Sequence, residues 1–287
     1  MNKTMNTVNQ KFNWSRFVAA LRKEVTEKER TILFATLGIY IFLSMIMILG
    51  NLVTPSSYME MQLQNYFPQK VVLTIMSFVC IVISSMAFWN LKTKTKRISF
   101  FTSPSSTLEK FLVKILIYVV GTFVVFFICT QLADLTRFAI LKLFENENLA
   151  VPGPINFATM FSNNASSSFF SGKSLSHLMG LAMFLSLLGN VAIFFMGSVL
   201  WPRLSLLKTL AASYAIELML FIITLFIVIV NFSFDMKRVG EWFVESLMDD
   251  KLTIFSIITS GILIMFGFGA AWYLFKRKDV VSLKWWK

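Results

Sequence analysis

Five stretches of about twenty residues carry no Asp, Glu, Lys or Arg: Thr31–Gly50, Val71–Asn90, Ile115–Ala133, Leu178–Pro202 and Leu252–Phe275. A sixth, Thr209–Phe234, carries one charge, Glu217. A helix rising about 1.5 Å per residue needs about 20 apolar residues to cross a hydrocarbon layer of about 30 Å. Backbone groups in lipid must pair within the segment, and period-2 alternation, which a barrel would need, is absent. The expectation is an all-α membrane protein, one transmembrane domain over 1–287, with spans at 31–50, 71–90, 109–133, 178–202, 209–234 and 252–275. The composition agrees: mean hydropathy is +0.69, with 31 Phe and 16 Met against 15% charged residues.

Six spans put both termini on one side, and basic residues choose it. Lys3, Lys11, Arg16, Arg22, Lys23, Lys28 and Arg30 precede the first span. Lys92, Lys94, Lys96, Arg97, Lys110 and Lys114 lie between spans two and three, Arg203 and Lys208 between four and five, and Lys276, Arg277, Lys278, Lys284 and Lys287 in the tail. The opposite connections hold only Lys70, Arg137, Lys142, Lys173, Lys237, Arg238 and Lys251. Both termini are therefore expected in the cytoplasm. The asymmetry accounts for the net charge of +12 with no nucleic-acid partner. Trp89, Trp201 and Trp272 fall at the same ends of spans two, four and six, where indoles favour the headgroup boundary.

Few residues offer catalytic chemistry. Cys80 and Cys129 sit inside apolar runs and read as buried hydrophobes, and the single histidine, His177, lies at an outer boundary. No cleavable signal peptide is expected in the polar, amphipathic first thirty residues. "SGKS" at 171–174 lacks the first glycine and the preceding strand of a phosphate-binding loop.

Outside the spans, residues 12–29 place Trp14, Phe17, Val18, Leu21 and Val25 on one helical face. They read as an amphipathic helix lying in the cytoplasmic interface, either a plain anchor or an elbow bordering a partner site. Residues 134–177 form a long outer loop in which local helical pieces are expected. Residues 234–251, with Met236, Val239, Trp242, Phe243 and Leu247 near helical spacing, read as a segment re-entering the membrane before the last span.

The connector "RISFFTSPSSTLEKFLVK" at 97–114 is the most informative polar stretch. Ser106 and Glu109 have capping-box spacing, so a helix starts near Thr107, and Pro104 stops any helix arriving from upstream. Lys110 and Lys114 are expected to snorkel at the end of the third span. Ile98, Phe100 and Phe101 fit a short helix beside Arg97. The two phenylalanines either dip into the bilayer surface or form a knob for a cytosolic partner.

This order of parts resembles the permease subunit of type-2 ABC exporters. The shared features are an elbow helix at 12–29, six spans, a coupling helix within 92–107 and a re-entrant segment before the last span. "TSPSSTLEKFL" resembles the loop opening the third span in such permeases from Bacteroidetes-like bacteria, and "FKRKDV" is similar to their basic end after the last span. The outer loop 134–177 is longer than the minimal pattern. The resemblance implies a bacterial inner-membrane protein paired with a second permease chain, identical or related. It also implies a dimeric cytosolic ATPase that binds ATP and Mg. This chain itself would hold no cofactor, metal or catalytic site. Arg97, Phe100, Phe101, Thr102, Ser105 and Glu109 become the expected ATPase contacts. The cargo would be an amphiphile, peptide, drug or lipid-linked molecule moving outward. A membrane scaffold anchoring a cytosolic partner is the alternative. A membrane-embedded enzyme is less supported, since Glu217 has no second acid at its depth.

Two polar features remain. Glu217 near mid-span is a costly residue serving a substrate pathway or a hydrogen bond to another helix, with Asn190 a candidate partner by depth. Asp134 and Arg137, three residues apart at the outer end of span three, read as a local interfacial pair. Gly189, Gly197, Gly267 and Ala271 suggest close helix contacts.

Overall fold

The computed structural model describes residues 12–53, 60–143, 176–231 and 250–277. These residues are helices joined by turns. They comprise α1 (Trp14–Val53), α2 (Glu60–Ser85), a 3-10 turn (Trp89–Leu91), α3 (Lys94–Thr102) and α4 (Thr107–Ile115). A π-helical turn (Leu116–Gly121), α5 (Thr122–Leu143), α6 (Ser176–Leu200), α7 (Ser205–Asn231) and α8 (Asp250–Lys276) follow. Six helical stretches are long and apolar enough to cross a membrane, so this is a multi-pass membrane protein. Residues 144–175 of the expected outer loop, 234–249 of the expected re-entrant segment 234–251, and the tail 278–287 lie outside the described residues.

The helix boundaries depart from the expected spans for local reasons. The second span ends at Ser85 instead of Asn90, because tight turns carry the chain from Met86 to Lys92, with Ala87 N–H donating to Ser84 O at 3.2 Å and Leu91 N–H to Phe88 O at 2.9 Å. Those turns aim Phe88 inward, where it is fully buried. The third span is a single rod from Thr107 to Leu143, interrupted only by the π turn, which adds a residue per turn and shifts the phase of the faces on either side.

The largest revision concerns the amphipathic segment. Residues 14–29 form no separate helix: they continue without a break into the first span, giving a 40-residue helix about 60 Å long. Nothing in "KEVTEKERTILF" breaks a helix, and Lys23–Glu27 and Glu24–Lys28 add i,i+4 ion pairs. The face also differs. Phe17 and Glu24 are buried, with Leu21 and Lys28 half-buried beside them, while Trp14, Val18 and Val25 are exposed.

Packing explains this face. α1 runs beside α4 and α5 in the same direction, touching in step: Asn13 with Glu109, Glu24 with Lys114, Lys28 with Tyr118, and Thr36 O with Cys129 Sγ. On the other side α6 is central, flanked by α8, α2 and α7. Its contact with α8 is close because Gly267 has no side chain. A Cβ there would stand 2.8 Å from the Ala192 Cβ, and Ala271 is fully buried nearby. At the α6–α7 contact a Cβ on Gly197 would meet the Thr209 Oγ1 at 1.9 Å. The small residues therefore let backbones approach where lipid supplies no hydrophobic drive for association. Buried threonine hydroxyls bond within their own helices, as Thr130 to Phe126 O at 2.8 Å and Thr209 to Ser205 O at 2.8 Å show, whereas the buried Ser205 hydroxyl has no partner.

Candidate functional site

Among the described residues, the end of the bundle that carries the basic connectors holds the densest polar and aromatic structure. It is organised around three consecutive turns of α4. Pro104 interrupts the chain after α3, and Ser106 then caps α4: its Oγ accepts the Glu109 N–H at 3.2 Å, while Glu109 Oε2 accepts the Ser106 N–H at 2.8 Å. The expected capping box is present.

Glu109 does more than cap. Its Oε1 accepts the Asn13 N–H at 2.9 Å and faces the Arg16 guanidinium at 3.4 Å, so the carboxylate ties the start of α1 to the start of α4. It is 0% exposed. Glu109, expected among the partner contacts, is buried within the chain with a donor on each of its oxygens.

Lys110 and Lys114 are also turned inward, not snorkelling outward. Lys110 Nζ donates to Phe101 O at 3.2 Å and Ser103 O at 3.1 Å, closing the carbonyl end of α3. Lys114, 1% exposed, bonds Glu24 Oε1 at 2.7 Å. Glu24 is shared with Lys28, which also reaches the Tyr118 hydroxyl. Two i,i+4 pairs, Glu24/Lys28 on α1 and Lys114/Tyr118 on the third span, thus face each other. An ammonium buried this deeply is tolerable only with such a partner.

The phenylalanines of α3 face the bundle. Phe100 and Phe101 each lie 6.1 Å from the Phe275 ring, and Phe275 joins Phe88 (5.1 Å) and Phe111 (5.7 Å). Phe195 and Trp272 extend the cluster, at 5.8 and 5.1 Å from Phe111. Aromatic rings from α3, α4, α6 and α8 close this end of the molecule. Lys110 and Lys114 stand over the Phe100 ring at 5.6 and 5.5 Å.

The remaining expected contacts distribute around α3. Thr102 is exposed, its hydroxyl bonded back to Ile98 O at 2.9 Å. Arg97 is half-buried and donates to Leu91 O at 3.0 Å, and Ser105 is half-buried beside the Ser103 hydroxyl at 3.2 Å. The surface that α3 presents outward is Lys94, Thr95, Lys96, Ile98, Ser99 and Thr102, with Ile98 49% exposed. Ile98 is the exposed apolar residue of this surface, two residues before the half-buried Phe100. A wheel of nine residues separates these faces; only packing on Phe275 decides which is inside.

The intramembrane polar residues stand apart from this junction. Asp134 and Arg137 form an ion pair at 2.8 Å, and both are buried in the chain. Glu217 and Asn190 are both exposed, and no hydrogen bond joins them among the described residues. No group of three His, Cys, Asp or Glu gathers as a metal site among the described residues.

Comparison with protein-family models, curated proteins and solved structures returns no match to this chain.

Proposed function

We propose that the chain is the membrane-spanning permease subunit of an ATP-driven exporter, working with a second permease chain and a separate cytosolic ATPase. The basic end lies in the cytoplasm in this reading, and the ATPase supplies the ATP and Mg chemistry. The observation that carries the reading is the attachment of α3. A nine-residue helix offers Lys94, Lys96, Ile98, Ser99 and Thr102 outward, while Lys110 and the Phe100, Phe101 and Phe275 rings bind it to α4 and α8. Glu109 and Lys114 then join α4 to α1. A push on α3 therefore reaches three spans through short, satisfied contacts instead of dissipating in a loop. A plain membrane anchor has no use for that rigidity.

The test is purification of the tagged chain in mild detergent with identification of what accompanies it. The expected companion is a stoichiometric Walker-type ATPase. Ile98→Glu combined with Lys94→Glu should lose it while shifting stability by less than about 0.5 kcal/mol, as for surface substitutions generally. Phe100→Ser with Phe101→Ser should instead lower stability, since those rings pack inside. An intact chain retaining no ATPase would favour the scaffold reading.

A further inference from the structure

Contacts between neighbouring helices fix the depth at which each residue lies, and on that scale α1 is out of step with the others. Phe111 meets Phe195 of α6 at 5.8 Å and Trp272 of α8 at 5.1 Å, and Phe123 meets Phe184 of α6 at 6.0 Å. The uncharged stretches Ile115–Ala133, Leu178–Pro202 and Leu252–Phe275 therefore lie side by side in one apolar slab, whose edge on the basic side is near Phe111. α1 is placed against the same slab by Lys28 beside Tyr118 and by Cys129 Sγ donating to Thr36 O at 3.7 Å. Glu29 and Arg30 thus stand between the levels of Tyr118 and Cys129, roughly 15 Å inside that edge at about 1.5 Å per residue. The uncharged stretch of α1 begins only at Thr31.

Two sets of charges share this depth on α1. Glu24 and Lys28 turn to Lys114 and Tyr118 and are satisfied there. Glu27, Glu29 and Arg30 are exposed. Glu27 pairs with Lys23 at 3.7 Å, but both side chains are more than half exposed, at 55% and 60%. On the third span the exposed residues at these levels are Leu116, Val120 and Val124, as lipid requires. Hydrocarbon gives a bare carboxylate or guanidinium no partner, and ionisable groups in spans face protein or a water-filled cavity. Snorkelling rescues long side chains near a helix end; Glu29 is short and too deep for it. One turn further along α1 the exposed residues, Leu33, Phe34 and Leu37, are apolar again. We propose that the outward face of α1 from Arg22 to Arg30 lines a water-filled recess, which opens at the basic end of the bundle and closes near Leu33, about half-way across the membrane. Its occupants are water and small hydrated ions, because acidic and basic side chains share the wall. Lys28, whose side chain is 25% exposed beside Glu24, joins the recess to the buried ion cluster. The recess needs neither ATPase nor cargo; only the cytoplasmic identity of its mouth rests on the orientation proposed above.

The experiment reads thiol accessibility of the full chain in sealed membrane vesicles, with a charged, membrane-impermeant thiosulfonate applied to either face. From the basic face, Glu29→Cys and Arg30→Cys should react at least about tenfold faster than Val120→Cys and Val124→Cys, since a thiol in apolar surroundings stays protonated and inert. Cys80 and Cys129 are buried, so the unsubstituted chain gives the background. A second readout on that unsubstituted chain is independent of variant folding: a water-soluble carbodiimide should label Glu29 from the same face, read by peptide mass spectrometry. Slow reaction at Glu29→Cys and Arg30→Cys, or an unlabelled Glu29, would mean that lipid or another chain covers the face and would overturn the recess. Equally fast reaction at all four positions would place the slab elsewhere and overturn it as well. Labelling from the opposite face alone would overturn its opening at the basic end. Capture or loss of an ATPase in cells bears on the exporter reading and leaves these measurements untouched.

Discussion

Glu24 sits between two lysines, and this arrangement predicts unequal damage from removing either member of the Glu24–Lys114 pair. Lys114 is 1% and Glu24 8% exposed, and Lys28 shares the carboxylate. Replacing Glu24 by Gln leaves two ammoniums facing each other over one neutral amide. Removing one partner of a buried pair costs about 3–5 kcal/mol, and Glu24→Gln should fall in that range. Lys114→Met is different: Glu24 keeps Lys28, and a buried charge is exchanged for a flexible apolar chain of similar length, so the cost should be about 1 kcal/mol or less. The double variant Glu24→Gln, Lys114→Met retains only Lys28, whose side chain is 25% exposed and can reach water, so it should recover much of the loss. At about 2–4 °C per kcal/mol the single Glu24→Gln change should lower the melting temperature by roughly 6–20 °C, readable by intrinsic fluorescence in detergent. Equal effects of the two single changes, or a double variant as damaged as Glu24→Gln alone, would refute the shared-carboxylate argument.

Two further outcomes follow from local geometry. Gly267→Val should destabilise by about 1–3 kcal/mol through overpacking, because even its Cβ would stand 2.8 Å from Ala192, whereas Gly261→Val, with open space at its Cβ, should be far milder; a thermal-shift series on both separates the effects. Leu204, at φ 56° in the turn between α6 and α7, holds a left-handed conformation that costs an L-residue about 1–2 kcal/mol, so Leu204→Gly should be stabilising or neutral even though it deletes a 62% exposed apolar side chain.

How much of this was legible in the sequence varies with range. The capping box of Ser106 and Glu109 and the pairing of Asp134 with Arg137 depend on residues three apart, and spacing alone reveals them. That Arg137 is fully buried depends on neighbouring helices and could not be read that way. Lys110 and Lys114 looked like snorkelling cations because their partners, the carbonyls ending α3 and the Glu24 carboxylate, are defined only after folding. A signal was available: Glu24 and Lys28 continue the Phe17–Leu21 face of α1, and Lys114 and Tyr118 repeat that four-residue spacing. Two such patterns are common in helices, however, and nothing local says that they meet.

The sequence by itself determined the six long apolar helices and the concentration of Lys and Arg at one end, since lipid selects segments by length, charge and closed backbone bonding. It also determined where α4 begins. Only the tertiary structure decided that α1 buries the face of Phe17 and Glu24 and not that of Trp14 and Val18, that Phe100 and Phe101 face Phe275 while Ile98 faces out, and that α7 leaves Glu217 bare. Each of these is a choice between faces of equal local merit. Such a choice is made by the neighbour against which a helix packs, which no stretch of the chain carries alone.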